Sequence, residues 1–97
     1  MAYIVQQTED FAKWRIALKD LQAKTAIRRR IDRAEAGNLG DVKSVGASIS
    51  EMRIDVGAGY RAYFTIRDRR IVFLLCGGDK STQKGDIRKA IAMLKEI

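Results

Sequence analysis

The side chains of this chain that could act on a substrate are arginines and tyrosines that alternate with apolar residues in two segments. Arg53 lies on the polar side of segment 49–55, and Arg61 and Tyr63 share the polar side of segment 60–67. Alternate residues of a strand point to one face, so neighbouring strands would gather these side chains into one patch. We expect that patch on the solvent side of a sheet.

Two lysines and two carboxylates decide what such a patch would bind. Lys43 precedes the first segment and Lys80 follows the sheet, so both are expected to border the patch. Clustered cations repel one another unless an anion lies between them, which favours a phosphate-binding surface. In the alternative interpretation, the two arginines form exposed cross-strand ion pairs with Glu51 or Asp55.

RNA cleavage can proceed with this set of groups, because the substrate supplies its own nucleophile, the 2′-hydroxyl. An arginine stays protonated and can clamp the phosphate, while a tyrosine can donate a proton or stack on a base. A lysine crowded by other cations can have its pKa lowered and take part in proton transfer. The general base is left open.

The absence of histidine and the single cysteine, Cys76, exclude several other kinds of site. A Ser-His-Asp triad needs histidine, and a zinc site built on Cys and His needs more ligands than one chain supplies. No nucleotide-binding glycine motif is present, since segment 57–59 (GAG) indicates only a turn. We therefore expect neither a metal nor a cofactor.

The composition predicts one domain, residues 1–97, that favours polyanions. Nineteen basic residues against twelve acidic ones give a net charge of +7, and this excess creates a positive potential. Residues 1–7 are too short and too polar for a signal peptide. No apolar run approaches the roughly 18 residues of a membrane span. We expect a cytoplasmic protein with no membrane partner.

Hydrophobic periodicity predicts an α+β fold in the order β-α-α-β-β-β-α. The N-terminal strand and a helix hairpin pack on a curved antiparallel sheet, and a C-terminal helix begins near Ser81 or Thr82. Thr8 and Thr25 are the expected N-caps of the hairpin. The strands after the hairpin are predicted at 49–55, 60–67 and 71–76.

The second predicted helix carries a cluster of basic residues on its unburied faces, namely Arg28, Arg29, Arg30 and Arg33. It is either a solvated helix face or a surface that grips ribosomal RNA or an acidic antitoxin segment. Arg28 and Arg29 are the predicted RNA-binding members.

The C-terminal half resembles the phage-derived addiction-module killer proteins, a HigB-like branch of the RelE/ParE toxins. The resemblance is carried by Gly59-Tyr60-Arg61, then Tyr63-Phe64, then the run from Leu74 to Lys80 (LLCGGDK), and finally Gln83 and Asp86-Ile87. It implies a ribosome-dependent mRNA endoribonuclease that is the toxin of a type II toxin–antitoxin module. It also implies an antitoxin partner, commonly a helix-turn-helix protein, and either a homodimer or a toxin–antitoxin heterotetramer.

Carried over by position, the resemblance gives roles to the residues of the patch. Arg53 and Arg61 would contact the scissile phosphate. Lys43 and Lys80 would add positive charge or transfer a proton, while Tyr63 or Gln83 would orient the base or the nucleophile. Some relatives use histidine or acidic residues near the C-terminus, and those assignments do not transfer to a chain without histidine.

Two other functions are compatible with the same sequence. ParE-like members of the superfamily inhibit DNA gyrase by binding it, and a shared fold does not decide between the two activities. A basic nucleic-acid-binding module without catalysis is the third hypothesis. It would show salt-sensitive binding and no cut products.

Overall fold

The computed structural model describes residues 2–97, which form a five-stranded sheet with helices on both faces. The elements are β1 (Ile4–Gln7), α1 (Glu9–Ala17), α2 (Leu21–Glu35), β2 (Val42–Gly46), β3 (Ile49–Ile54), β4 (Tyr60–Arg67), β5 (Ile71–Asp79) and α3 (Gln83–Leu94), with a 3₁₀ turn at Lys80–Thr82 before α3. Within residues 2–97, no helix is both long and apolar enough to cross a bilayer.

The α+β class and the predicted order of elements are confirmed, with one strand added and one pairing changed. The sheet order is β1-β5-β4-β3-β2, and β1 runs parallel to β5 while the other pairs are antiparallel. The parallel pairing follows from the helical hairpin, which carries the chain back across the sheet between β1 and β2. The sheet is therefore mixed rather than wholly antiparallel.

Strand β2 was not predicted because the turn after it has an unusual sequence. The β2–β3 hairpin turns through Ala47 and Ser48, which have φ of 54° and 64°. A tight hairpin turn of this geometry normally shows itself as Asn-Gly or Asp-Gly. Alanine and serine give no such signal, so the segment did not resemble a hairpin.

The hairpin of α1 and α2 begins as predicted and then departs from the prediction. Thr8 caps α1, and its side chain accepts a hydrogen bond from the Phe11 amide at 3.1 Å. The predicted cap at Thr25 is wrong, since α2 begins four residues earlier and is capped by Asp20, which accepts from the Ala23 amide at 3.1 Å. A carboxylate is an effective cap because it also favours the positive helix end.

The sheet separates two hydrophobic clusters, and this separation corrects the prediction of a solvent-exposed patch. Phe11, Ile27 and Phe64 belong to the cluster under α1 and α2. Tyr63 belongs to the other cluster, with the α3 residue Ala90. The face that carries the alternating polar residues of β3 and β4 is thus covered by α3, whose own apolar stripe must be buried.

The close approach of α1 to β5 leads to a prediction about the free energy of unfolding. A Cβ on Gly77 would overlap the indole ring of Trp14, which is itself held between Phe11 and Tyr60 at ring-centroid distances of 5.5 and 6.4 Å. We expect Gly77→Ala to lower the free energy of unfolding by about 1–3 kcal/mol. In the matched control Gly85→Ala, the new methyl meets open space within α3, and we expect a gain of about 0.5–1 kcal/mol.

Urea denaturation followed by circular dichroism would measure both changes. An unchanged urea midpoint for Gly77→Ala would contradict the close packing of Trp14 on β5.

Candidate functional site

Strand register places the polar residues of the α3-covered face in two parallel rows. The first row runs Lys43, Glu51, Tyr63 and Cys76 across β2, β3, β4 and β5. Residues paired across neighbouring strands point to the same face and lie about 4.5–5.5 Å apart at Cβ. The row therefore brings one carboxylate between a lysine and a tyrosine.

The second row pairs Arg53 with Arg61, which in turn faces Gly78. Two guanidinium groups directly opposite each other repel, so the row needs negative charge nearby. Because Gly78 has no side chain, the Asp86 carboxylate of α3 packs onto its backbone. The predicted convergence of Arg53 and Arg61 therefore holds in the structure.

Arg53 has its own carboxylate partner, which was not foreseen. Arg53 Nη2 lies 2.8 Å from Asp41 Oδ1, and its Nε donates to the same oxygen at 3.2 Å. These hydrogen bonds hold the pKa of Asp41 below its usual value and raise the pKa of Arg53. The alternative of an ion-paired arginine thus applies to Arg53, with Asp41 in place of Glu51 or Asp55.

Arg61 differs from Arg53 because it is buried and has no carboxylate partner within residues 2–97. It is 8% exposed, its Nη1 donates to the Tyr60 carbonyl at 3.1 Å, and its Nε has no hydrogen-bond partner in the described part of the chain. A buried cation left this way carries an uncompensated desolvation cost. An anion at Nε would remove that cost.

Glu51 is a further candidate residue of the site, expected from the sequence only as a possible ion-pair partner. It is 3% exposed, and its Oε2 accepts a hydrogen bond from Gln83 Nε2 at 2.9 Å. A buried carboxylate with one amide donor keeps acceptor capacity for another group. The available signal was its position opposite Tyr63, two residues before Arg53.

Tyr63 lies fully buried beside these charges, with an unpartnered hydroxyl among the described residues. Burial, and then the negative charges of Glu51 and Asp86, raise the pKa of Tyr63, so its hydroxyl keeps its proton at neutral pH. Burial likewise raises the pKa of the neighbouring Cys76 thiol to about 11. Tyr63 is therefore a buried neutral phenol, and Cys76 is an unreactive packing residue.

The unpartnered hydroxyl leads to a prediction for Tyr63→Phe. Removing a buried, unsatisfied hydroxyl should raise the free energy of unfolding by about 1 kcal/mol near neutral pH. The raised pKa favours folding only while the unfolded phenol is protonated, so this contribution is lost as pH rises above about 10. The wild type should therefore lose more stability than the variant between neutral and strongly alkaline pH.

Urea titrations at both pH values would test this double expectation. Tyr3→Phe is the matched control, since Tyr3 lies only partly buried, outside the two rows. Equal alkaline losses in the Tyr63→Phe variant and in the wild type would contradict the placement of the buried hydroxyl.

Six of the eight residues predicted from the sequence meet on this face, and two lie elsewhere. Lys80 lies beside the turn that precedes β4, where its Cε comes within 2.8 Å of the place a Cβ would take on Gly59. Arg28 and Arg29 are exposed on α2, on the opposite side of the sheet. The six that converge are Lys43, Arg53, Arg61, Tyr63, Lys80 and Gln83.

The segment from Lys80 to Gln83 limits access to the buried groups. Gln83 contacts Glu51, while Asp79 accepts from the Ser81 amide at 2.8 Å and fixes the 3₁₀ turn. A shallow cavity of about 510 Å³ lies along residues 80–86. The cavity is lined by these seven residues, and the buried members of the two rows are not part of its lining.

Residues 16–95 match the family described as Phage derived protein Gp49-like (DUF891). The chain belongs to this family. The Gp49-like chain is 46% identical over 97 residues to a protein of Haemophilus influenzae described only as uncharacterized, and the match covers 100% of this chain and 98% of that protein.

Solved structures show the same fold at low sequence identity. A mutant of the E. coli toxin RelE in the free state matches with a TM-score of 0.74 and 17% identity over 100% of this Gp49-like chain and 99% of its own. The intact E. coli RelBE toxin–antitoxin complex contributes a second match, with a TM-score of 0.65 and 18% identity over 80% of this chain and 96% of that one. The expected RelE-like fold is confirmed, and the family match agrees with the expected phage-derived family.

Proposed function

We propose that this chain is the toxin of a type II toxin–antitoxin module and that it cleaves messenger RNA at the ribosome. The family and the fold shared with the E. coli toxin RelE support the toxin assignment. The observation that carries the cleavage assignment is the buried Arg61 guanidinium, which lacks a carboxylate partner yet lies in the row next to Glu51 and Tyr63. The ribosome as target places this activity in the cytoplasm.

The phosphate of the substrate would lie between the arginines of the second row. Arg61 offers its unpartnered Nε, and Arg53 is the more accessible guanidinium beside it. A guanidinium matches two phosphate oxygens and holds the growing negative charge of the transition state. The exposed Lys43 and Lys80 would add positive charge along the RNA backbone, without contributing base recognition.

Glu51 and Tyr63 are suited to the two proton transfers. The 2′-oxygen attacks the adjacent phosphorus while its proton passes to the Glu51 carboxylate, and the bond from phosphorus to the 5′-oxygen breaks. The departing 5′-oxygen takes the proton of the Tyr63 hydroxyl, which the raised pKa keeps in place at neutral pH. The products are a 2′,3′-cyclic phosphate and a free 5′-hydroxyl.

Gln83 holds the position that the nucleophile would need. Its amide donates to Glu51 in the free chain, and a 2′-hydroxyl is a donor of the same kind. Binding of RNA would therefore displace the segment from Lys80 to Gln83 and exchange the amide for the hydroxyl. Gln83 would then be free to orient the base or the sugar.

A cognate antitoxin is part of the proposal. The E. coli relative with this fold forms a toxin–antitoxin complex. For the present chain we propose a helix-turn-helix antitoxin. The assembly would contain a toxin homodimer or would be a toxin–antitoxin heterotetramer. The exposed basic residues Arg28 and Arg29 remain proposed contacts to ribosomal RNA or to a protein partner.

The test is brief induction of the chain without its antitoxin, followed by mapping of messenger RNA 5′ ends. Cuts confined to translated regions, with 5′-hydroxyl ends, are expected. Intact transcripts with stalled replication would overturn cleavage in favour of the ParE-like inhibition of gyrase. Cuts that are equally frequent in untranslated RNA would contradict the dependence on the ribosome.

A further inference from the structure

The outer surface of the α1–α2 hairpin exposes large apolar side chains that the fold does not use. Ile16 near the end of α1 is 75% exposed, and Leu21 at the start of α2 is 76% exposed. Both belong to elements whose other faces are packed against the sheet. Neighbouring exposed apolar residues rimmed by charge are typical of a protein-binding surface.

Two adjoining grooves join these residues into one surface, which we name the hairpin groove. Ile16 lines a cavity of about 600 Å³, and Leu21 lines a second cavity of about 460 Å³. The two share Thr25 and Arg29, so Arg29 lies between the apolar positions. A groove of this shape along two helices suits an extended or helical segment.

The charge around the hairpin groove is strongly one-sided. One acidic residue, Asp32, lines it, and none of its basic residues takes part in an ion pair within residues 2–97. Lys24 donates instead to the Ile16 carbonyl at 3.0 Å. The basic residues of the groove are Arg15, Lys24, Arg28 and Arg29. Carboxylates of a partner would therefore find unpaired cations at the rim.

We propose that the hairpin groove docks an acidic amphipathic segment of the antitoxin, with apolar residues on Ile16 and Leu21 and carboxylates on the surrounding cations. Two large exposed apolar side chains on the surface favour a protein over RNA, since RNA would leave them without contacts. The groove lies on the opposite side of the sheet from Arg61 and Glu51. Docking there therefore holds the antitoxin without filling the catalytic face.

The inference rests on the proposed function, because it assumes an antitoxin. Its test distinguishes a failure of the docking site from a failure of the proposed function. The variant Ile16→Ser with Lys24→Glu alters the groove, and neither residue belongs to the proposed catalytic face. The matched control, Ile97→Ser with Arg70→Glu, also replaces one exposed isoleucine by serine and reverses one positive charge, at positions outside the groove. The probe is the protein of the adjacent reading frame that restores growth when produced together with the chain.

Titration calorimetry with that protein and a growth assay with and without it are the readouts. We expect the groove variant to stay toxic, to bind at least about 10-fold more weakly, and to escape rescue, while the control behaves as the wild type. A toxic variant that is bound and rescued normally would overturn the docking site and leave the proposed function intact. Loss of toxicity with normal folding would assign the groove to the ribosomal target instead.

Discussion

Replacing Arg61 with lysine is expected to lower the rate of messenger RNA cleavage about 100- to 1,000-fold, the usual cost of losing one preorganised group that stabilises the transition state. The positive charge is kept, so bulk electrostatic attraction to RNA should change little. The variant loses the planar guanidinium group, including the Nε that lacks a hydrogen-bond partner within residues 2–97. Ribosome-bound transcripts cleaved in single-turnover assays give the rate.

Arg69→Lys is the matched control, because Arg69 is exposed in the turn after β4 and distant from the rows. It should cleave at the wild-type rate. Circular dichroism and a thermal melt would show that the Arg61→Lys chain is folded. A folded Arg61→Lys chain with undiminished cleavage would remove the guanidinium from the mechanism.

Glu51→Gln should reduce cleavage by roughly 100- to 10,000-fold, the usual range for a lost general base. The amide has the same shape as the carboxylate and can still accept the hydrogen bond of Gln83. It cannot take a proton from the 2′-hydroxyl. The variant should therefore bind ribosomes normally and fail at the chemical step.

The decisive comparison separates binding from chemistry. Ribosome affinity from sedimentation and the cleavage rate at saturating ribosomes would be measured for Glu51→Gln and for Glu35→Gln, an exposed carboxamide change at the end of α2. If the Glu51→Gln chain cleaves at the wild-type rate, another group is the base. In that case the exposed Lys80 would be the next residue to test.

Local patterns were sufficient to predict much of the fold. The predicted bounds of segment 60–67 match β4 residue for residue, and Thr8 caps α1 as predicted. These features depend on neighbours within a few positions, where side-chain period and capping chemistry act directly. The start of α2 at Leu21 and the turn at Ala47 were not predicted. At both places the local sequence preferences are weak, and the packing of the whole fold decides between them.

Part of the candidate site could likewise be predicted from local patterns, and part of it could not. Arg53 and Arg61 could be placed opposite each other because a short hairpin connects their strands and sets the register. The contact between Glu51 and Gln83 joins residues 32 positions apart on different elements. Local sequence patterns span only a few positions, so they cannot predict a contact between residues so far apart in the chain. The cations of the site could therefore be predicted from local patterns, whereas the burial of Glu51 against Gln83 could not.

By itself, the order of residues determined which chemical groups this protein has and on which side of each strand they lie: cations, tyrosine and carboxylates without histidine. Only the tertiary structure decided that α3 would cover that side of the sheet, bury Arg61 and Tyr63, and leave Ile16 and Leu21 outside. The reason is physical. The period of a strand is a local property of the backbone, whereas burial depends on which distant apolar stripe the sheet has to cover.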